Sequence, residues 1–226
     1  MIKMVVFDMA GTVIDENNVV YKTLLESINE EGYHLTLEQV LADGAGKEKY
    51  QAIKDLLIKH AATGNDTRPH KIFQNFNSKL ENIYDKMDIK AQPGAERLFK
   101  ELNERGIHVV LNTGYDLKTA EAILRKVGWE EGKQIDAMVT ASDVLNNRPA
   151  PDMIDHAKTK FGLGPSDEVV KVGDSSIDIE EGKNAKCRLS IGITTGAHSR
   201  AQLLAAKPDY IVDRLLEILP LIENTG

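Results

Sequence analysis

Four short polar segments of the chain carry residue types that together suit phosphoryl transfer. They are residues 8–12, residues 113–114, Arg148, and residues 173–178. Carboxylate oxygens such as those of Asp8 and Asp174 are the ligands that Mg²⁺ prefers, and a carboxylate can also attack phosphorus and hold it as an acyl phosphate. The hydroxyl of Thr113, the backbone of Gly114 and a guanidinium can bind the phosphoryl oxygens and offset their charge. These residue types predict Mg²⁺-dependent phosphoryl transfer.

The pattern of the chain predicts how these segments come together. Apolar runs typical of buried strands occur at residues 4–7, 107–111, 137–139, 168–172, 189–193 and 210–212, and helical patterns separate most of them. Repeated alternation of strand and helix predicts an α/β fold with a doubly wound parallel sheet. In such a sheet the loops that follow the strands gather at one edge. We therefore expect the four polar segments to form one site.

Residues 15–87 interrupt this alternation. Apolar residues recur there at helical spacing, as in Leu24, Leu25 and Ile28, and no strand pattern is evident. We therefore predict an all-helical cap domain at residues 15–87, inserted after the first strand of an α/β catalytic core. That core comprises residues 1–14 and 88–226.

The polar segments resemble, in the same order, the four motifs of the haloacid dehalogenase superfamily. The matching sequences are Phe-Asp8-Met-Ala-Gly-Thr12, Asn-Thr113-Gly114, Arg148-Pro-Ala-Pro151-Asp and Val-Gly173-Asp174-Ser-Ser-Ile-Asp178. The resemblance implies that Asp8 is the nucleophile and a ligand of Mg²⁺. It also implies that the carbonyl of Ala10 and the carboxylate of Asp174 are further ligands, and that Asp178 supports the metal site directly or through water.

Two departures from the usual motifs resemble the phosphonoacetaldehyde hydrolase subgroup of that superfamily. Ala10 stands where the superfamily usually has a second Asp, and Arg148 stands where it usually has Lys. Thr113-Gly114-Tyr115 also resembles the second motif of this subgroup. The missing Asp would protonate an alcohol leaving group and activate water, which a methyl group cannot do. In the subgroup the leaving group is carbon, and a cap lysine forms a Schiff base with the substrate aldehyde.

Lys47 is the predicted Schiff-base lysine. Gly44-Ala45-Gly46-Lys47 resembles the Gly-Leu-X-Lys sequence of the subgroup's cap, although Asp43 and Tyr50 stand where the subgroup has Met and His. We predict that Lys47 begins a helix, whose positive end disfavours an ammonium, as burial between cap and core would. Neighbouring Lys49 would add to this effect and Asp43 would oppose it. The expected result is the neutral amine that attack on a carbonyl requires.

Several of these residues also have a structural interpretation. Asp178 can stabilise the first turn of its helix, and Arg148 can be a solvated loop charge. Tyr115 can be a packing residue or a substrate contact. A lysine at the start of a helix, such as Lys47, is often only a solvated charge.

Three functions are compatible with the sequence. The first is hydrolysis of a small phosphonate similar to phosphonoacetaldehyde, through a phospho-aspartyl intermediate on Asp8. The second is a phosphatase acting on a small phosphate ester such as phosphoglycolate or a sugar phosphate. The third is a non-catalytic binding protein with the same fold.

Composition and charge restrict the kinds of partner and the cellular location that we expect. The net charge of −7 and the pI of about 5.4 argue against nucleic acid as a partner. The single cysteine, Cys187, excludes an internal disulfide and fits a reducing cytoplasm. The apolar run at the N-terminus meets Asp8 and is too short to predict a membrane span or a signal peptide. We expect a cytoplasmic monomer or homodimer that acts on a small phosphorylated or phosphonate metabolite.

Overall fold

The computed structural model describes residues 1–61, 67–164 and 168–224. The strands in this part of the chain are β1 (Met4–Asp8), β2 (Ile14–Asp15), β3 (Lys90–Ala91), β4 (His108–Thr113), β5 (Ala137–Thr140), β6 (Val169–Gly173), β7 (Leu189–Ile193) and β8 (Tyr210–Val212). The helices are α1 (Val19–Asn29), α2 (Leu37–Gly44), α3 (Lys49–Ala61), α4 (Arg68–Lys86), α5 (Ala95–Glu104), α6 (Leu117–Val127), α7 (Asp152–Lys160), α8 (Ser176–Asn184), α9 (Arg200–Ala205) and α10 (Ile218–Glu223). Short 3-10 turns lie at Ala141–Asp143 and Leu215–Glu217.

A parallel sheet in the order β5-β4-β1-β6-β7-β8 forms the centre of the described structure. Alternate residues of β1 enter different apolar clusters, with Val5 and Phe7 on one face and Met4 and Val6 on the other. Both faces of the sheet are therefore covered, as a parallel sheet of apolar strands requires. The predicted α/β fold with a doubly wound parallel sheet is confirmed.

Helices α1 to α4 lie between the two short strands β2 and β3, and we call them the helical segment. Strands β2 and β3 pair antiparallel, with Ile14 opposite Ala91 and Asp15 opposite Lys90. The chain therefore enters the helical segment through β2 and leaves it through β3, and these two connections run side by side. Residues 62–66, which belong to the predicted cap, are outside the described residues. In the part of the chain that is described, no helix combines the length and the apolar character needed to cross a bilayer.

Three aromatic rings support the sheet below the ends of its central strands. Phe99 of α5 lies 5.5 Å from the Phe7 ring centroid and 5.0 Å from that of Trp129. All three side chains are buried. Phe7 precedes Asp8 directly, so this packing holds the end of β1 in place.

We predict that Phe99→Ala lowers the free energy of unfolding by about 3–5 kcal/mol, because it leaves a cavity against Phe7 and Trp129. Urea denaturation would measure the loss. Leu145→Ala is the control, since that side chain is 97% exposed and its removal should change stability by less than about 0.5 kcal/mol. Equal effects of the two substitutions would contradict this packing.

Candidate active site

The predicted nucleophile and metal ligands meet at the carboxyl edge of the sheet. Asp8 is the last residue of β1, Thr113 is the last residue of β4, and Asp174 follows β6 directly. Since β1 lies between β4 and β6, the three strand ends are neighbours. The sheet order therefore brings together residues that are far apart in the chain.

A tight turn after β1 joins the two acidic residues. Gly11 has a φ of +90°, and a Cβ at this position would collide with the Asp174 carboxylate, so glycine is required there. The hydroxyl of Thr12 lies 3.3 Å from an oxygen of Asp8 and 3.4 Å from one of Asp174. The backbone N–H of Ala197 also donates to Asp174, over 2.5 Å.

Arg148 is held in place from several sides. Its Nη1 lies 2.7 Å from an oxygen of Asp8 and 3.1 Å from one of Asp178, and its Nε lies 3.0 Å from Glu181. Its Nη2 donates to the backbone and side-chain oxygens of Asn112 over 2.8 and 2.6 Å. The side chain is 1% exposed, so Arg148 is not a solvated loop charge. Burial acts to lower the pKa of the guanidinium, but the surrounding carboxylates outweigh it and the pKa is raised.

Asp178 stabilises the first turn of α8, as one of its two predicted roles requires, and also pairs with buried cations. One oxygen accepts from the backbone and the hydroxyl of Ser175, which caps α8. The other oxygen lies 3.0 Å from the amine of Lys171 and 3.1 Å from Arg148. Burial acts to raise the pKa of Asp178, but Lys171 and Arg148 outweigh it and the pKa is lowered.

Sequence reasoning missed three members of this cluster: Asn112, Lys171 and Glu181. All are buried, and the Lys171 amine contacts Asn112 at 2.6 Å and Glu181 at 3.2 Å. Lys171 did leave a signal, because a lysine within an apolar strand is rarely buried unless it is paired. Nothing in the spacing of Glu181 within α8 pointed to the site.

The cluster carries an excess of negative charge. Among the described residues at this edge, four buried carboxylates (Asp8, Asp174, Asp178 and Glu181) face two buried cations, Arg148 and Lys171. Burial and the charges of Asp8 and Asp178 raise the pKa of Asp174 well above its usual range. Burial and the charge of Asp178 raise the pKa of Asp8, although Arg148 and Lys171 act to lower it.

This excess and its oxygen donors fit a divalent cation. Oxygen atoms of Asp8, Asp174 and Asp178 lie within 4.8 Å of one another. Hard carboxylate oxygens are the ligands that Mg²⁺ prefers, and two positive charges would balance the cluster. Because Asp178 is already engaged by Ser175, Lys171 and Arg148, its contacts favour an indirect role beside the ion.

The loop between α2 and α3 covers the strand ends. A Cβ on Gly114 would lie 2.8 Å from the carbonyl oxygen of Lys47, and one on Gly46 would collide with Ser175 and Ile177. Gly46 also has a φ of +73° and donates its N–H to the Tyr21 hydroxyl over 3.0 Å. These glycines allow the two backbones to approach closely, so Gly114 has a steric role beside its predicted one.

The structure places Lys47 differently from the prediction. Helix α3 begins at Lys49, so the prediction that Lys47 begins a helix is wrong. The Lys47 amine donates to Asp55 over 2.5 Å, and its side chain is 28% exposed. The Lys47 amine is therefore paired with a carboxylate and only partly buried, unlike the buried amine that was expected.

Lys49 has the surroundings that were expected for Lys47. Its amine is buried, donates to the Lys47 carbonyl over 2.6 Å, and lies 5.2 Å from the ring centroid of Tyr115 and 5.7 Å from that of Tyr21. Within the described residues, no carboxylate forms an ion pair with it. Burial lowers the pKa of Lys49 to about 8; Arg148 adds to this effect, and Asp8, Glu48 and Glu16 oppose it.

A signal for Lys49 was present in the sequence. Gly46-Lys47-Glu48-Lys49 repeats, two residues later, the glycine-to-lysine spacing that was assigned to Gly44 and Lys47. The spacing alone could not show which of the two lysines has the predicted surroundings. Burial separates them.

Tyr115 joins Lys49 to a small cavity between the helical segment and the sheet. The cavity has a volume of about 250 Å³, and its lining includes Lys49, Tyr115, Phe73, Phe76 and Leu80. Tyr115 is also packed against Tyr84, with the two hydroxyl oxygens 2.9 Å apart. Tyr115 is therefore both a packing residue and part of the cavity wall.

Comparison with known proteins finds a matching family and similar enzymes. A sequence model of the haloacid dehalogenase-like hydrolases matches residues 5–191. A phosphonoacetaldehyde hydrolase from Latilactobacillus sakei is 30% identical over 94% of this chain and 81% of its own length. A phosphoglycolate phosphatase from Vibrio parahaemolyticus is 26% identical over 98% and 96% of the two chains.

Solved structures share the fold. A hydrolase from Pseudomonas syringae superposes with a TM-score of 0.86 over 98% of both chains, at 22% sequence identity. The fold described above is therefore shared with this solved structure.

We predict that Mg²⁺ raises the thermal unfolding midpoint of the protein and that Asp174→Asn removes this response. The substitution should itself raise the midpoint without Mg²⁺, because it relieves repulsion among the buried carboxylates. Differential scanning calorimetry at constant ionic strength would measure both changes. Asp213→Asn, at an exposed carboxylate, should respond to Mg²⁺ like the natural protein. An undiminished response in Asp174→Asn would show that the ion binds elsewhere.

Proposed function

The chain belongs to the haloacid dehalogenase-like hydrolase family, and on that premise we propose that it hydrolyses a small phosphonate that carries a carbonyl group. The phosphoryl group would pass to Asp8, and a lysine would activate the carbonyl as a Schiff base. The observation that carries the proposal is the buried amine of Lys49, which lies beside the cavity and has a pKa lowered to about 8. Lys49 replaces Lys47 in this role.

The strand ends supply the phosphoryl-transfer part of the reaction. Asp8 ends β1 with one oxygen 2.7 Å from Arg148, so the guanidinium is poised to balance charge on the group that Asp8 attacks. Thr113 and the backbone of Gly114 stand at the neighbouring strand end and would bind phosphoryl oxygens. Mg²⁺, held by Asp8 and Asp174 with support from the Ala10 carbonyl and Asp178, would supply further positive charge there.

Ala10 favours carbon over an alkoxide as the leaving group. Its methyl group cannot protonate an alcohol or activate water. A Schiff base removes the need for such an acid, because the iminium accepts the electron pair of the breaking carbon–phosphorus bond. The 30% sequence identity with a phosphonoacetaldehyde hydrolase over 94% of the chain also supports carbon as the leaving group.

We also propose that the helical segment acts as a cap on the core, with the cap at residues 15–87 and the core at residues 1–14 and 88–226. The close approach of Gly46 and Lys47 to Gly114 and Ser175 supports this division. A second contact supports it as well. The Ser176 N–H donates to Nδ1 of His198 over 3.0 Å, so Nε2 carries the ring proton and donates to the Leu41 carbonyl over 2.9 Å.

The partner in this proposal is a small phosphonate or phosphorylated metabolite in the cytoplasm. The cavity of about 250 Å³ suits a small molecule. Whether the protein is a monomer or a homodimer stays a prediction.

A phosphatase acting on a small phosphate ester is the second candidate. The cluster of Asp8, Thr113, Arg148 and Asp174 serves phosphoryl transfer from oxygen as well as from carbon. The 26% sequence identity with a phosphoglycolate phosphatase supports this alternative. Family membership and the complete cluster speak against the third hypothesis, a non-catalytic protein.

We predict that Lys49→Ala abolishes borohydride trapping of phosphonoacetaldehyde on the protein and lowers kcat by about 10³-fold or more, because the nucleophilic amine is lost. Lys47→Ala is the matched control, two residues away, and should still be trapped at Lys49. Mass spectrometry of the reduced protein would locate the adduct. An adduct on Lys47, or full activity of Lys49→Ala, would refute the assignment of Lys49.

We predict that Ala10→Asp raises the turnover of phosphate esters by about 10²-fold, because it introduces the missing acid and base. Ala10→Asn is the control, since it has nearly the same shape and cannot transfer the proton. A panel containing phosphoglycolate and sugar phosphates would provide the measurement. Strong ester turnover by the natural protein that survives Lys49→Ala would favour the phosphatase instead.

A further inference from the structure

Glu16 is a buried carboxyl group that the proposed reaction has not yet used. It lies between β2 and α1 and is 2% exposed. One of its oxygens accepts from the Val20 N–H and from the Tyr84 hydroxyl, each over 3.0 Å. Tyr84, on α4, lies with its hydroxyl oxygen 2.9 Å from that of Tyr115. A continuous chain of hydrogen bonds therefore runs from Glu16 to the wall of the cavity.

The direction of this chain depends on the protonation of Glu16. A tyrosine hydroxyl has one proton to donate. When Glu16 is ionised, Tyr84 donates to it and accepts from Tyr115. When Glu16 is protonated, the order can reverse, and the Tyr115 hydroxyl can then accept from Tyr84 and donate its own proton to another acceptor.

We propose that Glu16 is the proton source for Schiff-base formation at Lys49, acting through the hydroxyls of Tyr84 and Tyr115. This inference rests on the proposed function. Tyr115 would touch the substrate oxygen, and Glu16 and Tyr84 would be positioning residues behind it. The hydrogen-bonded groups Glu16, Tyr84 and Tyr115 would supply an acid on the carbonyl side of the substrate. On the phosphorus side, Ala10 leaves the site without one.

The protons and electrons of the step balance. The Lys49 amine forms a bond to the carbonyl carbon, and the π electron pair moves to the carbonyl oxygen. That oxygen takes a proton from Tyr115, which is replaced from Tyr84 and then from Glu16, leaving a carboxylate. The protonated carbinolamine loses water and becomes the iminium. Cleavage of the carbon–phosphorus bond leaves a neutral enamine, which takes one proton at carbon to become the product iminium, and the water that hydrolyses the phospho-aspartate releases one proton in balance. Hydrolysis of the product iminium then releases the proton that the same hydrogen-bonded groups return to Glu16.

The charges around these groups suit a proton source at neutral pH. Burial raises the pKa of Glu16 to about 7, against the lowering effects of the Val20 N–H, Tyr84, Lys49 and Lys22. Burial also raises the pKa values of Tyr84 and Tyr115 well above their usual range, so both hydroxyls stay protonated and pass protons on without ionising. The groups that act on Lys49 are Asp8, Arg148, Glu48 and Glu16.

These values fix the sign of the pH dependence. The active form needs a protonated Glu16, which is lost as the pH rises above about 7, and a neutral Lys49, which is gained as the pH rises towards about 8. The rate should therefore be highest between these values, fall at lower pH because the amine is protonated, and fall at higher pH because the acid is ionised.

The test is the pH profile of phosphonoacetaldehyde turnover by the natural protein and by Glu16→Gln. Glutamine keeps the shape and can still accept from Val20 and Tyr84, but it does not titrate. We expect kcat at pH 7 to fall about 10²-fold and the decline in rate above pH 8 to disappear. Tyr84→Phe, which breaks the chain and leaves Glu16 in place, should have the same two effects.

Glu48→Gln is the matched control, because Glu48 also acts on Lys49 but its oxygens accept from the N–H groups of Tyr50 and Gln51 at the start of α3. It should keep the alkaline decline. Unfolding midpoints and borohydride trapping of each variant complete the experiment. If Glu16→Gln is folded, is trapped at Lys49 and keeps both its rate and the alkaline decline, the inference is overturned and the proposed function stands. If the natural protein is not trapped at Lys49, the proposed function fails and the inference fails with it.

Discussion

The excess of buried negative charge at the carboxyl edge of the sheet is the constraint on which the rest of the site depends. Four carboxylates share this edge with Arg148 and Lys171, and like charges in a dry environment repel strongly. The arrangement persists because each carboxylate also accepts from a fixed donor or faces a fixed cation, as Asp174 does with Ala197 and Asp8 with Arg148. The remaining deficit of positive charge is what makes the edge suitable for a divalent cation.

The buried surroundings of Lys49 and Glu16 differ from this charged edge in their physical basis. Lys49 and Glu16 lie among tyrosine rings and hydroxyls, and burial is the largest influence on the pKa of each. Burial disfavours the charged form of both groups, so one tends towards the neutral amine and the other towards the neutral acid near neutral pH. A site that must form a Schiff base needs both forms together, and charge pairing of the kind found at the sheet edge would prevent it.

The two environments are joined by close backbone contacts. Gly114 and Gly46 allow the loop before α3 to lie on the strand ends, and the same loop leads directly into Lys49. The hydrogen bond between His198 and the Leu41 carbonyl adds a second connection. A small displacement of the helical segment would therefore separate the Lys49 amine from the acidic cluster at the sheet edge, so the alignment of the two environments depends on this contact.

The sequence by itself determined the fold and predicted the residues of the candidate site at the sheet edge, because both depend on local patterns. Apolar runs mark the strands, and a polar residue directly after a strand must lie at the carboxyl edge of a parallel sheet; Asp8, Thr113 and Asp174 were found in this way. The tertiary structure alone decided which lysine is buried. Helix α3 begins at Lys49, two residues later than the pattern indicated, so Lys47 lies in the preceding loop and meets Asp55 while Lys49 enters the cavity. Glu16 and Glu181 were beyond the reach of spacing altogether, because their roles come from neighbours such as Tyr84 and Arg148, which are distant in the chain and close only after folding.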